Sequence, residues 1–134
     1  TNIGNNIPAT QRHPYCMESW WVNYQKQMEF NPLHNHKGVY SFVIWMKIPY
    51  NWKRQNQKDI ARKSNEPKIG SFQFTYLNIL GDMRPHNYDI SSQDEGTMLF
   101  FPSRLYHQVY PFYDCNEDRI SVSGNIGLNT TKVI

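Results

Sequence analysis

The chain has 134 residues, 15% of them aromatic, two cysteines and a formal net charge of +3 at pH 7. This is the length of one ordinary domain, which can bury a core without a disulfide or a structural metal. It contains no apolar run of about 20 residues that could span a membrane and shows no secretory leader. Cys16 and Cys115 lie far apart and fit no zinc spacing. A reducing cytoplasm is the simpler interpretation, with a single disulfide as the alternative.

After a polar lead-in over residues 1–14, the sequence predicts strands along most of its length. Residues 19–26, "SWWVNYQK", favour a first strand, and residues 38–49, "GVYSFVIWMKIP", give the strongest strand signal. Apolar residues on both faces of this second segment predict a central strand covered on both sides. Shorter strands are expected within residues 70–80, 96–102, 105–112 and 119–128. Such short strands between turn signals are typical of an all-β sandwich or barrel, here a single domain over residues 1–134.

Residues 51–69 differ from the rest of the chain in charge. They carry six basic residues against two acidic ones, a local charge of +4. We interpret them as a long basic loop insertion, with a helical turn at residues 57–63, that is solvated and mobile. Binding of nucleic acid or another phosphate-bearing partner is a less favoured explanation, and a lid over an active site is a third.

Three histidines are candidate metal ligands. His34 and His36, two residues apart, would share one face of a strand and could reach one metal ion. His107 lies on a later predicted strand and could complete the set. Each also has an ordinary explanation, since surface histidines often form only hydrogen bonds and His107 could be a partly buried residue among aromatics. His13 and His86 lie in loop-like segments and are interpreted as surface residues.

The segment "RISVSGNI" contains a candidate anion site. Alternation places Arg119, Ser121, Ser123 and Asn125 on one face of a strand, with aliphatic residues on the other. Arginine can fork two hydrogen bonds onto a carboxylate, and a serine can add a third. The alternative is that this polar face is the solvated exterior of an edge strand.

The order of these pieces, His-x-His, then Gly…Pro…His, then Arg-x-Ser, resembles the Fe(II)/2-oxoglutarate-dependent oxygenase superfamily. More narrowly, the chain is similar to the small oxygenase-like proteins of bacteria and marine phages. The resemblance rests on "WWVNY", "HNHKGVYSFVIW", "MLFFPSRLYHQV" and "RISVSGNI", of which "FFPSRLYHQV" is the most distinctive piece. It implies a double-stranded β-helix, a cupin-like jelly roll, in the cytoplasm of a bacterium or of a phage-infected host cell.

The resemblance also implies a site. His34 and His107 would bind Fe(II), and Arg119 with Ser121 would bind the distal carboxylate of the co-substrate 2-oxoglutarate. The activity implied is hydroxylation of an unknown substrate, coupled to decarboxylation of 2-oxoglutarate. His36 stands where the superfamily usually has Asp or Glu. We predict His36 as the third metal ligand and therefore a catalytic set of His34, His36, His107 and Arg119.

Two further interpretations stay open. The missing carboxylate could come from Glu29, Asp82 or Glu95. The protein could instead be a three-histidine cupin-like enzyme that does not use 2-oxoglutarate, or a non-catalytic jelly-roll module that binds a carbohydrate or a protein. An inward arginine with a nearby serine favours the 2-oxoglutarate hypothesis. The sequence does not distinguish a monomer from a homodimer.

Overall fold

The computed structural model of the protein describes residues 11–134, so most of the expected lead-in, residues 1–10, lies outside the described residues. Of these described residues, 44% are in strands and 6% in helices, which confirms the all-β prediction. The extent of a single domain over residues 1–134 stays a prediction. The strands are β1 (Tyr15–Gln25), β2 (Asn31–His34), β3 (Tyr40–Lys47), β4 (Phe72–Leu77), β5 (Met83–Tyr88), β6 (Met98–Pro102), β7 (Tyr106–Val109) and β8 (Arg119–Leu128).

These strands form two antiparallel four-stranded sheets, in the orders β1-β8-β3-β6 and β2-β7-β4-β5. The arrangement is a jelly-roll-like β sandwich, as the resemblance implied. Aromatic rings join the two sheets across the core, since Trp45 of β3 contacts Phe72 of β4 and Phe101 of β6 contacts Phe74 of β4. The buried apolar core consists of Val43, Trp45, Ile48, Tyr50, Phe72, Phe74, Ile90, Phe101 and Phe112.

The sheet β1-β8-β3-β6 has a polar inner face along β8 and an apolar outer face. Its register aligns Trp20 of β1 with Gly124 of β8, and Gly124 with Phe42 of β3. Gly124 leaves room for the Phe42 ring, because a Cβ atom there would lie 2.7 Å from it. The prediction that β3 is central is confirmed, with β8 and β6 as its neighbours. On the outer face, however, Trp20 and Phe100 remain 66% and 54% exposed among the described residues.

The basic segment over residues 51–69 is not confirmed as the long loop that the sequence predicted. It begins with a short helix α1 (Trp52–Gln55), whereas residues 57–63, where we expected a helical turn, form successive turns without a helix. One amide side chain ties the segment to the rest of the chain, and a second joins the beginning of the segment to its end. Gln55 exchanges two hydrogen bonds with the backbone of Tyr113, and Asn56 does the same with Ile69. No helix within residues 11–134 has the length and apolarity needed to cross a membrane.

Candidate active site

Two neighbouring strands bring three histidines together. The antiparallel pairing of β2 with β7 places His34 directly opposite His107. His36 follows two residues later, and its backbone N–H donates to the carbonyl oxygen of Ser103 at 2.8 Å. One ligand atom from each of the three imidazoles lies within 4.8 Å of the other two, close enough to hold one metal ion.

Backbone carbonyls orient two of these imidazoles. The Nδ1 atom of His34 lies 2.6 Å from the oxygen of Pro32, and that of His107 lies 2.9 Å from the oxygen of Leu105. Because a carbonyl can only accept, each Nδ1 carries the proton, and each Nε2 keeps a lone pair for a metal. The Nε2 atoms of His36 and His107 are 3.2 Å apart. Two nitrogens bound at near-right angles to one metal, about 2.1 Å from each, would lie about 3 Å apart.

Burial keeps two of the imidazoles neutral. It lowers the pKa of His107 from 6.5 to about 4, with smaller contributions from the neighbouring His34 and His36, against the opposing effect of the Leu105 carbonyl. Burial, followed by proximity to His34, also lowers the pKa of His36. Neutral imidazole is the form that binds metals, so near pH 7 protons compete little for these two side chains.

The cluster contains no carboxylate among the described residues. Glu29 lines the cavity described below, but its Oε2 accepts a hydrogen bond from the backbone N–H of Lys26. Asp82 lies in the β4–β5 turn, where its carboxylate accepts a hydrogen bond from the side-chain nitrogen of Asn78 and pairs with Arg84. Glu95 accepts from the backbone N–H of Ile48. The three carboxylates that the sequence offered are therefore outside the histidine cluster.

Arg119 lies at the start of β8 and is only 3% exposed. Its inward direction follows from the alternation that the sequence predicted. Its guanidinium group lies over the rings of Tyr50 and Phe112, with centroid distances of 5.8 and 5.6 Å. Ser121 lies two residues further along the same face, and its hydroxyl is 3.4 Å from the side-chain nitrogen of Asn23. The alternative that this is the solvated face of an edge strand is wrong, since β8 lies between β1 and β3.

One cavity of about 550 Å³ connects the histidines and the arginine. This volume falls in the range of small-molecule sites. Its lining includes His34, His36, His107, Arg119 and Ser121. Aromatic and apolar side chains complete the wall, among them Trp21, Tyr24, Met28 and Phe30. None of residues 51–69, all of which the structure describes, lines this cavity, which gives the lid hypothesis no support.

The other two histidines lie elsewhere. The His13 ring nitrogen Nδ1 lies 2.6 Å from the carbonyl oxygen of Lys132. His86 lies in strand β5, not in a loop as the sequence suggested, and its ring packs edge-on against Tyr88. Both are outside the histidine cluster. Sequence reasoning missed Gln25 and Tyr50, which both hydrogen-bond to Arg119.

The pKa of His107 predicts an acid-sensitive metal-free protein. The unfolded histidine takes up a proton near pH 6.5, while the folded one remains neutral until about pH 4. As the pH falls through this window, the unfolded chain binds a proton that the folded chain refuses, so the free energy of unfolding should decrease by up to about 3 kcal/mol. Chemical denaturation in the presence of a chelator, with an NMR titration of the ring protons, measures both effects. A His107 ring that titrates above pH 6 in the folded protein would contradict this prediction.

Together, the sandwich and its site define a class: a jelly-roll-like β protein whose cavity holds a three-histidine cluster and a buried arginine. The family model described as "Putative 2OG-Fe(II) oxygenase" matches residues 19–125. The chain belongs to this family and, with it, to the Fe(II)/2-oxoglutarate oxygenase superfamily. No curated protein matches the chain significantly.

Proposed function

We propose that the protein is an Fe(II)/2-oxoglutarate-dependent oxygenase that hydroxylates an organic substrate. The observation that carries this proposal is the single cavity shared by the histidine cluster and Arg119 in a chain of this family. In the overall reaction one oxygen atom of O₂ enters the substrate. The other enters succinate, which is formed with CO₂ from 2-oxoglutarate.

The donor set fits a divalent transition metal. Three imidazoles suit Fe(II), although they also suit Zn, Cu and Ni. In the proposal His34, His36 and His107 would hold Fe(II) through their imidazole nitrogens. Iron, when bound, would supply the oxygen activation that protein side chains cannot. The Pro32 and Leu105 carbonyls keep the rings of His34 and His107 in the tautomer that presents Nε2.

Replacing the usual carboxylate by His36 changes the charge of the site. Three neutral ligands leave the full charge of a divalent ion, whereas a carboxylate would cancel one unit. The 2-oxoglutarate dianion is therefore attracted from two directions, by the metal and by Arg119. Both Arg119 and Ser121 would bind its distal carboxylate through charge-assisted hydrogen bonds, since the acceptor is ionised. The aromatic wall, including Trp21 and Phe30, would help to exclude water from the reacting groups.

Anaerobic titration with Fe(II) and then 2-oxoglutarate tests this function. A visible metal-to-ligand charge-transfer band that requires both components, followed by succinate formation when air is admitted, is the expected result. Metal binding without this band would instead support the second candidate, a three-histidine cupin-like enzyme that does not use 2-oxoglutarate. This candidate is favoured by the lack of a carboxylate in the cluster among the described residues. Failure to bind any divalent metal would leave a non-catalytic binding module.

The location in the cytoplasm stays a prediction, and so does the less favoured binding of nucleic acid through residues 51–69. Lys58 and Lys68 in that segment already pair with Asp114 and Glu66 at 2.7 and 2.5 Å. These pairs reduce the local positive charge that phosphates would meet.

A further inference from the structure

The guanidinium group of Arg119 has an acceptor for each of its five N–H bonds. Its Nε and one Nη2 hydrogen both point to the Oε1 atom of Gln25, at 3.2 and 2.5 Å. The Nη1 atom donates to the Tyr50 hydroxyl at 2.5 Å and to the Gly70 carbonyl oxygen at 3.3 Å. The remaining Nη2 hydrogen faces the carbonyl oxygen of Tyr110, also at 3.3 Å. A carboxylate can therefore bind here only by displacing one of these acceptors.

Gln25 is the acceptor that an incoming ligand can reach. Gln25 lines the cavity, whereas Tyr50, Gly70 and Tyr110 are not part of its lining. It is held opposite Arg119 by the β1–β8 register. Its single oxygen covers the edge of the guanidinium formed by Nε and Nη2, which is an edge that a carboxylate can bind with two parallel hydrogen bonds.

The charges favour such a displacement. Arg119 is buried, and no carboxylate among residues 11–134 forms an ion pair with it. A buried cation is costly unless an anion compensates it, and a neutral amide oxygen is a weaker acceptor than a carboxylate oxygen. The Gln25 amide thus satisfies the hydrogen bonds of Arg119 but leaves its charge without a partner.

We propose that Gln25 is a placeholder, a residue whose amide oxygen occupies the position of a carboxylate oxygen and moves away when a dicarboxylate binds. This inference rests on the proposed function, because 2-oxoglutarate is the dicarboxylate in question. It makes Gln25 a determinant of co-substrate affinity. A ligand with a terminal carboxylate displaces the amide, while a ligand with a neutral end group gains nothing over the bonds that Gln25 already makes.

Displacement of Gln25 would also weaken the hydrogen bonding of the turn that follows β1. The Gln25 side-chain nitrogen donates to the carbonyl oxygen of Glu29 at 2.6 Å, and the Lys26 backbone N–H donates to the Glu29 carboxylate at 2.8 Å. Met28, within this turn, has a φ of 67°. Met28 and Glu29 both line the cavity. Binding at Arg119 therefore removes one of the hydrogen bonds that hold this part of the cavity wall.

The test compares Gln25→Glu with Gln25→Ala. The glutamate is nearly isosteric and would form a permanent ion pair with Arg119. Calorimetric titration of Ni(II)-loaded protein with 2-oxoglutarate, and of metal-free protein with glutarate, should show at least about 10-fold weaker binding for Gln25→Glu. Gln25→Ala, which removes the competing acceptor, should bind both ligands at least as tightly as the wild type. Asn31→Asp is the matched control, because Asn31 also lines the cavity but belongs to β2 and is not among the hydrogen-bond partners of Arg119 within residues 11–134.

A second readout does not depend on any ligand. Gln25→Glu should raise the melting temperature at pH 7, and this gain should vanish at acidic pH as the new carboxyl group becomes protonated. Wild-type affinity for both ligands in Gln25→Glu, or an equal loss in Gln25→Ala, would overturn the placeholder role while the proposed function stands. If the wild type binds Ni(II) but neither dicarboxylate, both the 2-oxoglutarate assignment and this inference fail.

Discussion

Replacing His107 by alanine is expected to weaken metal binding by at least about 100-fold. His107 would be one of three ligands, it is 4% exposed, and its Nε2 lies 3.2 Å from that of His36. Loss of residues that merely orient ligands typically costs 10- to 100-fold in metal affinity, so loss of a ligand should cost at least as much. Competition for Co(II) or Fe(II) with a chromophoric chelator measures the effect.

The same experiment on His36 decides between three histidine ligands and two. If His36 is a ligand, His36→Ala should lose affinity by a factor similar to that for His107→Ala. His86→Ala is the matched control, because His86 is exposed on β5 and lies outside the cluster. Thermal melts of the metal-free variants separate loss of a ligand from loss of the fold, since the His107 ring also stacks on Phe72. Unchanged metal affinity in His107→Ala, with the fold intact, would remove the metal site from the proposal.

The alternation of polar and apolar residues along the sequence predicted those strands in which one face differs chemically from the other. In β8 the inward direction of Arg119, Ser121 and Ser123 follows from a period of two, and all three line the cavity. Strand β5 was not predicted, and the strand that was expected to carry both His34 and His36 is the short β2, which ends at His34. Both lie at edges of their sheet, pair with one neighbour only and contain a proline, so they lack the apolar signal of a buried strand.

The part of the site that was predicted is the set of residues whose order along the chain resembles a known family, namely the histidines and the Arg-x-Ser pair. The histidine pair and His107 converge as the sequence suggested, because β2 pairs with β7. The surroundings of Arg119 were not predictable, since its acceptors come from positions as distant as Gln25, Tyr50 and Tyr110. The hydrogen bonds between Gln25 and Arg119 depend on the β1–β8 register. This register cannot be predicted from the sequence of either strand alone.

The long loop predicted over residues 51–69 is not confirmed, and the reason is physical. Their charges predicted a solvated loop. Charged residues, however, indicate only which side chains face solvent and not which uncharged polar side chains hydrogen-bond to the backbone. The anchoring comes from the amides of Gln55 and Asn56, which hydrogen-bond to backbone groups of Tyr113 and Ile69. Gln55 is 4% exposed despite its polar side chain. A polar residue that satisfies distant backbone groups looks, in sequence, like any surface residue.

Arg119→Met is expected to weaken 2-oxoglutarate binding by about 100-fold while leaving metal affinity close to that of the wild type. Truncating one partner of a buried, hydrogen-bonded charge pair typically costs about 2–5 kcal/mol, and a factor of 100 corresponds to about 2.7 kcal/mol. Methionine is the replacement of choice because its length partly fills the space against Tyr50 and Phe112. Calorimetry with Ni(II)-loaded protein measures the co-substrate, and chelator competition measures the metal.

Two further substitutions, each with a smaller expected loss of 2-oxoglutarate affinity, extend this prediction. Arg119→Lys keeps the charge but loses the planar fork, so its affinity should fall between those of the wild type and Arg119→Met. Ser121→Ala removes one hydrogen bond to the carboxylate, for which a loss of about 1.5 kcal/mol, or roughly 12-fold, is expected, the lower end of the range for bonds to a charged group. Arg84→Met is the control, since Arg84 is exposed on β5 and pairs with Asp82 at 3.5 Å. If Arg119→Met binds 2-oxoglutarate as tightly as Arg84→Met does, the co-substrate carboxylate is bound elsewhere, and the buried arginine serves the fold alone.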